Sequence, residues 1–286
     1  LLYVCTSDLI IPEIRKIRAS TFNVRYFGFL IIRIEVIMST HIIEELLSNL
    51  PKKDVPVRSV MVGVHWTAVC SSHCGLATTF APDKPHDQTT HVRNVGTLHQ
   101  KSAQELAQYA LSENTIEAGI GIAAINSLME YNENDAVEIN ASEVLIERGA
   151  GKNVAIVGHF PFIPKVKKAV KNLWVIEQNP LEGDHPAHAA SDLIPQADVV
   201  AITGSSLINH TLDDLLGLCK PEALVVILGP STPISPVLFD HGANIIAGSK
   251  IIDENAVLNA IGQGATFQQV TGVRLLAFSS PGSPHQ

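Results

Sequence analysis

From position 151 onward the apolar residues gather into short runs, each closed by small or polar residues. The runs at 153–157, 173–176, 199–202, 224–228 and 244–247 are rich in Val, Ile and Leu and have the length of buried strands. The intervals near 163–171, 191–194, 211–219, 236–240 and 254–262 carry helical patterns. Strands alternating with short helical crossovers predict an α/β fold with a Rossmann-like, mostly parallel sheet over 151–286.

The pattern upstream is different. Val57–Val69 reads as one strand, with Val60, Val62 and Val64 on alternate positions. Ser71-Ser72 predicts a turn and His73–Phe80 a returning strand. Residues 81–94, rich in Pro, Asp, Thr and His, lack any period and predict a loop. Helices are expected over Ser102–Leu111 and Thr115–Met129. Gly119 and Gly121 cost the second helix up to about 1 kcal/mol each relative to alanine, so they point to close helix packing or to backbone approaching a ligand. Residues 38–150 therefore predict a smaller α+β domain ahead of the sheet domain at 151–286.

Residues 1–37 end in an apolar stretch, Phe27–Ile37, interrupted by Arg33 and Glu35. It falls short of the roughly 20 apolar residues a bilayer span needs, and it lacks the order of a secretory signal. Met38-Ser39-Thr40 opens a well-patterned helix, with Ser39 or Thr40 as cap and Ile42, Ile43, Leu46, Leu47 and Leu50 on one face. Met38 is the expected native start, with residues 1–37 an upstream extension.

Composition narrows the function classes. With 46% hydrophobic and 17% charged residues the chain has the make-up of a folded globular protein. Its formal charge of −8 speaks against nucleic-acid binding, and no segment calls for a membrane. Cys5, Cys70, Cys74 and Cys219 are too few for a disulfide framework, so a reducing, cytoplasmic setting with free thiols is expected.

Small and polar residues follow three of the predicted strands, where open α/β sheets bind ligands. The first turn reads Gly158-His159-Phe160-Pro161-Phe162. It lacks the glycines that bring backbone to a pyrophosphate, so ordinary NAD binding is disfavoured. Glu177, about 20 residues on, occupies the position of a ribose-binding acid. The second turn runs Thr203-Gly204-Ser205-Ser206 to Asn209-His210-Thr211. A histidine at a helix start is kept neutral, which suits His210 to acid–base chemistry or metal ligation. The third, Gly229-Pro230-Ser231-Thr232-Pro233, offers two hydroxyls to an anion. Cys70-x-x-His73-Cys74 combines thiols and imidazole in a spacing that suits zinc or a softer metal. A structural zinc would need a further ligand, such as His65, His86 or His91.

Val154–Phe162, Ala197–Thr211 and Leu228–Pro233, in this order, resemble a prokaryotic family labelled for heavy-metal chelation. Gly63–Val69, Gly75–Thr79 and Gly121–Asn126 resemble its companion N-terminal domain. The resemblance, from about Met38 to the C-terminus, implies an enolase-N-like domain joined to a Rossmann-like one, with a site between them. Carried over by position, that site includes Trp66, Thr67, Asn126, Gly158, His159, Phe160, Glu177, Thr203, Gly204, Asn209, His210, Gly229, Ser231 and Thr232. The leading expectation is a small-molecule-binding enzyme for a polar, anionic metabolite or a metal chelate. His210 and Glu177 would do its chemistry, with Ser231 and Thr232 as the anion contacts. Two alternatives stay open. One is a metal-handling protein using His159, His210, Cys70, His73 and Cys74, with a transition metal as its cofactor. The other is a nucleoside or S-adenosylmethionine binder. A homodimer is compatible with each.

Overall fold

The computed structural model describes residues 41–80, 91–136 and 141–281. Residues 1–37, expected above as an extension, the candidate caps Ser39 and Thr40, and His86 lie outside the described residues.

The first helix, His41–Ser48, buries Ile42, Ile43 and Leu46. The stretch expected to form one strand is two. Ser59–Val62 (β1) and Trp66–Cys70 (β2) pair antiparallel, with Val62 opposite Thr67. The Gly63 amide donates to the Trp66 carbonyl at 2.9 Å to close the reversal. A Cβ on Gly63 would run into Ile261, so only glycine fits there. Val64 at the turn is 70% exposed. An apolar residue at a turn tip extended the alternation past its real end. Cys74–Thr78 (β3) then returns against β2, Cys70 opposite Cys74.

One helix covers this small sheet and a second packs against that helix. Ser102 caps Ala103–Ala107 in a reciprocal capping box with Glu105, and the chain tightens into a 3-10 turn through Leu111. Asn114 caps Thr115–Leu128 by accepting from the amides of Ile116 and Glu117. That helix is buried almost all round. A Cβ on Gly121 would overlap the backbone of Ala110, so this glycine serves close packing rather than a ligand.

The helix Ala141–Gly149 leads into the large sheet. Its strands are Asn153–Val157 (β4), Asn172–Glu177 (β5), His185–Pro186 (β6), Val199–Thr203 (β7), Leu224–Leu228 (β8), Ile245–Ile251 (β9) and Val273–Ser279 (β10). They lie in the order β10-β9-β8-β7-β4-β5-β6. All neighbours are parallel except β10, which runs antiparallel to β9 at the edge. The fold is α/β, a large mostly parallel sheet with a smaller antiparallel three-stranded part. Alternate strand residues serve opposite faces. Val154, Ile156, Val199 and Val226 pack against Leu145 and Val166 on one side. Ala155, Val200, Ile202 and Ile227 join Val69, Ala77, Ile120 and Ile125 in a single cluster on the other. The small sheet and its helices are thus one of the two layers covering the large sheet. Among the described residues no helix is long and apolar enough to cross a membrane.

Candidate functional site

The strand order reverses at β4, which has β5 on one side and β7 on the other. Connections leave in opposite directions there, and a crevice opens beyond the strand ends. It is a cavity of about 470 Å³. Its floor is the ends of β4, β5, β7 and β8, and one wall is Trp66 and Thr78 of the small sheet with Phe80 just beyond it.

Two turns on the floor need glycine. Gly158 has φ +106° and Gly229 +115°, conformations that side-chain-bearing residues rarely adopt. A Cβ on Gly158 would also press on Thr203 at 3.0 Å. Phe160, two residues on, stacks on Phe162 with ring centres 5.0 Å apart and planes 11° from parallel. His159 is partly exposed, its Nδ1 3.3 Å from Asp184 Oδ2. Glu177 ends β5 at the cavity, where one carboxylate oxygen accepts from the Gln178 amide at 3.1 Å. After β7, the Thr203 and Ser205 hydroxyls pair at 2.9 Å, and Ser206 Oγ donates to the Thr203 carbonyl at 2.7 Å. Asn209 Oδ1 accepts from the Thr211 hydroxyl at 2.7 Å.

Across the cavity, the Trp66 ring lies 5.3 Å from that of Phe267, tilted by 55°. The Trp66 indole N–H is buried without a hydrogen-bond partner. Ser231 Oγ accepts from the Thr78 amide at 2.9 Å and pairs with the Thr78 hydroxyl at 3.1 Å, tying the wall to the floor.

Of the residues the sequence singled out, Trp66, Gly158, His159, Phe160, Glu177, Thr203, Asn209, Gly229 and Ser231 line the cavity. Five others do not. Thr67 is fully buried, its hydroxyl 2.8 Å from that of Thr79. Asn126 donates to the Leu76 and Ser231 carbonyls, bracing the β8 turn from behind. Gly204 and Thr232 pack against each other, and a Cβ on Gly204 would overlap the Thr232 hydroxyl. The Thr232 hydroxyl is consequently buried rather than offered to a ligand.

His210 departs furthest from expectation. It adopts φ +57° and is 6% exposed, and its Nε2 donates to the Ala110 carbonyl at 2.7 Å. The left-handed backbone turns the ring toward the small-sheet layer, so His210 and His159 do not converge. Among the described residues no three metal-ligating side chains meet in the cavity, and its donor set does not fit a chelated heavy metal. Cys70 and Cys74, expected as free thiols or ligands, are joined in a disulfide, because antiparallel pairing sets their Cα atoms 4.0 Å apart. His73 is exposed at that turn.

Sequence reasoning did not single out Phe80, Phe267 or Gln268, which also line the cavity. Phe267 comes from a 3-10 turn whose signal was the capping pair Thr266 and Gln269.

Two family models, both described as "Putative heavy-metal chelation", match in tandem over residues 43–129 and 140–278. The chain belongs to this family. A curated relative, an uncharacterised protein of Methanocaldococcus jannaschii, is 33% identical over 165 residues, 55% of this chain. The match spans 64% of that relative's length. A DUF364-family protein of unknown function from Desulfitobacterium hafniense has a solved structure similar at TM-score 0.73 and 25% identity. A second, from Pyrococcus horikoshii, reaches 0.69 at 22% and shares the fold. Each match covers 84% of this chain and 98% of the other.

Proposed function

We propose that the cavity binds a small organic ligand that pairs a flat ring with neighbouring hydroxyls and carries no phosphate, a nucleoside or close analogue. The observation carrying this reading is the character of the lining. Trp66, Phe80, Phe160 and Phe267 supply aromatic surface, Glu177 supplies a carboxylate, and no Lys or Arg is among the described lining residues. A phosphate or carboxylate ligand would normally meet a cation or a bidentate Arg. A vicinal diol is instead well served by a carboxylate at the end of the second strand of the sheet, which accepts two hydroxyl protons. The volume, about 470 Å³, suits a ligand of this size.

This reading replaces the anionic metabolite. The Ser231 hydroxyl is engaged by Thr78, and the Thr232 hydroxyl is buried against Gly204. The hydroxyls of Thr203 and Ser205 pair with each other, and we assign the site recognition and no reaction.

Thermal-shift and calorimetric titrations with adenosine, S-adenosylmethionine, AMP and inorganic phosphate test the reading. Adenosine at about 100 times its Kd should stabilise the fold by about 2.7 kcal/mol, AMP should do less, and Glu177→Ala should abolish the effect. Tighter binding of AMP or phosphate, or adenosine binding indifferent to Glu177→Ala, would overturn it.

A further inference from the structure

The Cys70-x-x-His73-Cys74 motif takes no part in the cavity, yet the fold completes it with a residue far away in sequence. The two sulfurs and a Glu254 carboxylate oxygen lie within 4.8 Å of one another, the one such cluster among the described residues. Three elements assemble it. The β2–β3 hairpin sets the cysteines side by side. Glu254 opens the helix Glu254–Gly262, which packs on that hairpin. Arg58 holds Glu254 through two hydrogen bonds of 2.5 Å while its Nε donates to the Ser71 carbonyl at the hairpin turn. The turn is pinned from below, where the His73 amide donates to the Ser127 carbonyl and the Ser71 hydroxyl pairs with that of Ser127 at 2.6 Å.

The two sulfurs are buried, and the Glu254 side chain is partly exposed. Cys70 is inaccessible and Cys74 is 6% exposed. A cavity of about 80 Å³ reaches Cys74 between His73, Tyr131, Glu133 and Lys250. Of the three clustered side chains only Cys74 lines it, so this space is an approach to the Cys74 sulfur rather than the seat of an ion.

We propose that this cluster is a redox-gated site for a thiophilic divalent metal such as Zn²⁺ or Cd²⁺, closed as the Cys70–Cys74 disulfide and opened by reduction. A thiol reductant cleaves the S–S bond by donating two electrons and two protons, itself becoming a disulfide and leaving Cys70 and Cys74 as thiols. The metal then displaces one proton from each thiol to water. It is held by two thiolates and the Glu254 carboxylate, with water in the remaining position, donors that suit a tetrahedral d¹⁰ ion. A small-molecule disulfide then re-forms the Cys70–Cys74 bond by thiol–disulfide exchange, taking up the two electrons and leaving as two thiols, and the metal is expelled because a protein disulfide has no thiolate to offer. The site is separate from the nucleoside cavity and does not rest on that assignment.

The test uses the full chain, reduced with a phosphine, desalted anaerobically and titrated with Cd²⁺ alone. Thiolate-to-cadmium charge-transfer absorption in the ultraviolet is the readout. The expected result is one Cd²⁺ per chain in the reduced protein and none in the oxidised protein. The double variant Cys5→Ser/Cys219→Ser should retain it. Burial pushes the Cys219 thiol up to about 11, so it stays protonated. Cys74→Ser should lose the band. Glu254→Gln, which keeps both sulfurs, should weaken binding by about tenfold or more. No band in the reduced protein, equal binding after oxidation, or a band unaffected by Glu254→Gln would overturn the proposal. Circular dichroism of Cys74→Ser and Glu254→Gln checks that each is folded, and a folded Cys74→Ser that keeps the full band would also overturn it.

Discussion

The Nε2 of His210 donates to the carbonyl of Ala110 at 2.7 Å, a hydrogen bond between the turn after β7 and the helical layer over the small sheet. Both partners are buried. A histidine that looks catalytic by its place at a strand end instead joins two layers.

Replacing it should therefore cost stability and spare the cavity. His210→Ala leaves the Ala110 carbonyl buried without a donor, worth about 1–3 kcal/mol. Alanine at φ +57° adds roughly 1–2 kcal/mol of backbone strain. Urea denaturation should show the loss, while calorimetry should return an unchanged Kd for adenosine. A variant of normal stability that no longer binds adenosine would restore His210 to the site.

Gly121→Ala sets two effects against each other. Helix propensity favours alanine by about 1 kcal/mol. The new methyl, however, would overlap the Ala110 backbone, and overpacking of this kind costs typically 1–3 kcal/mol. The variant should melt lower than the parent, the opposite of what propensity alone predicts.

Acid sensitivity should centre on Glu117, which is 2% exposed. Burial alone would raise its pKa, but hydrogen bonds from the Arg93 side chain and amide and from Ser112 outweigh it and hold the group below the usual carboxylate range. A carboxyl with a lowered pKa in the folded state binds its proton more readily when unfolded. Its contribution is full above about pH 4.3, the ordinary Glu value, and is lost as pH falls through the folded value. Denaturation curves between about pH 5 and 3 should steepen in the parent and flatten in Glu117→Gln. Arg93→Leu should destabilise at neutral pH, since it leaves a buried carboxylate short of its main donors.

Trp66→Phe removes an indole N–H that makes no hydrogen bond in the fold. Stability should hold or rise slightly, while adenosine affinity should fall because phenylalanine offers the cavity a smaller aromatic face. Quenching of indole fluorescence on adenosine binding, absent in Trp66→Phe but present in Trp174→Phe, checks the placement.

How much of this was legible in the sequence depended on the range of the interactions. Strands β4 and β8 were readable to the residue because a fully buried parallel strand is a bare apolar run with clear ends. The break at 63–65 was not, because it rests on Gly63 meeting Ile261, almost two hundred positions away, and no local turn signal marks it. β10 was missed because its exposed half, Arg274 and Leu275, has no strand alternation. Within the cavity, the glycines at 158 and 229 announced themselves as strand-end turns. Phe80 and Phe267 gave no sign, since only tertiary packing sets them beside Trp66. His210 misled for a related reason: its neighbours in sequence suggest a helix start facing the crevice, and one left-handed residue turns it the other way.

The apolar cluster running unbroken from Ile42 and Ile120 to Ile202 and Ile246 has a consequence for how the molecule comes apart. The gap between the two family models, at 130–139, is no seam at which the chain divides into independent pieces. A fragment starting near residue 140 would expose one whole face of its sheet to water and should be prone to aggregate. The intact chain should melt in a single cooperative transition, the ligand cavity vanishing in the same step as the core beneath it.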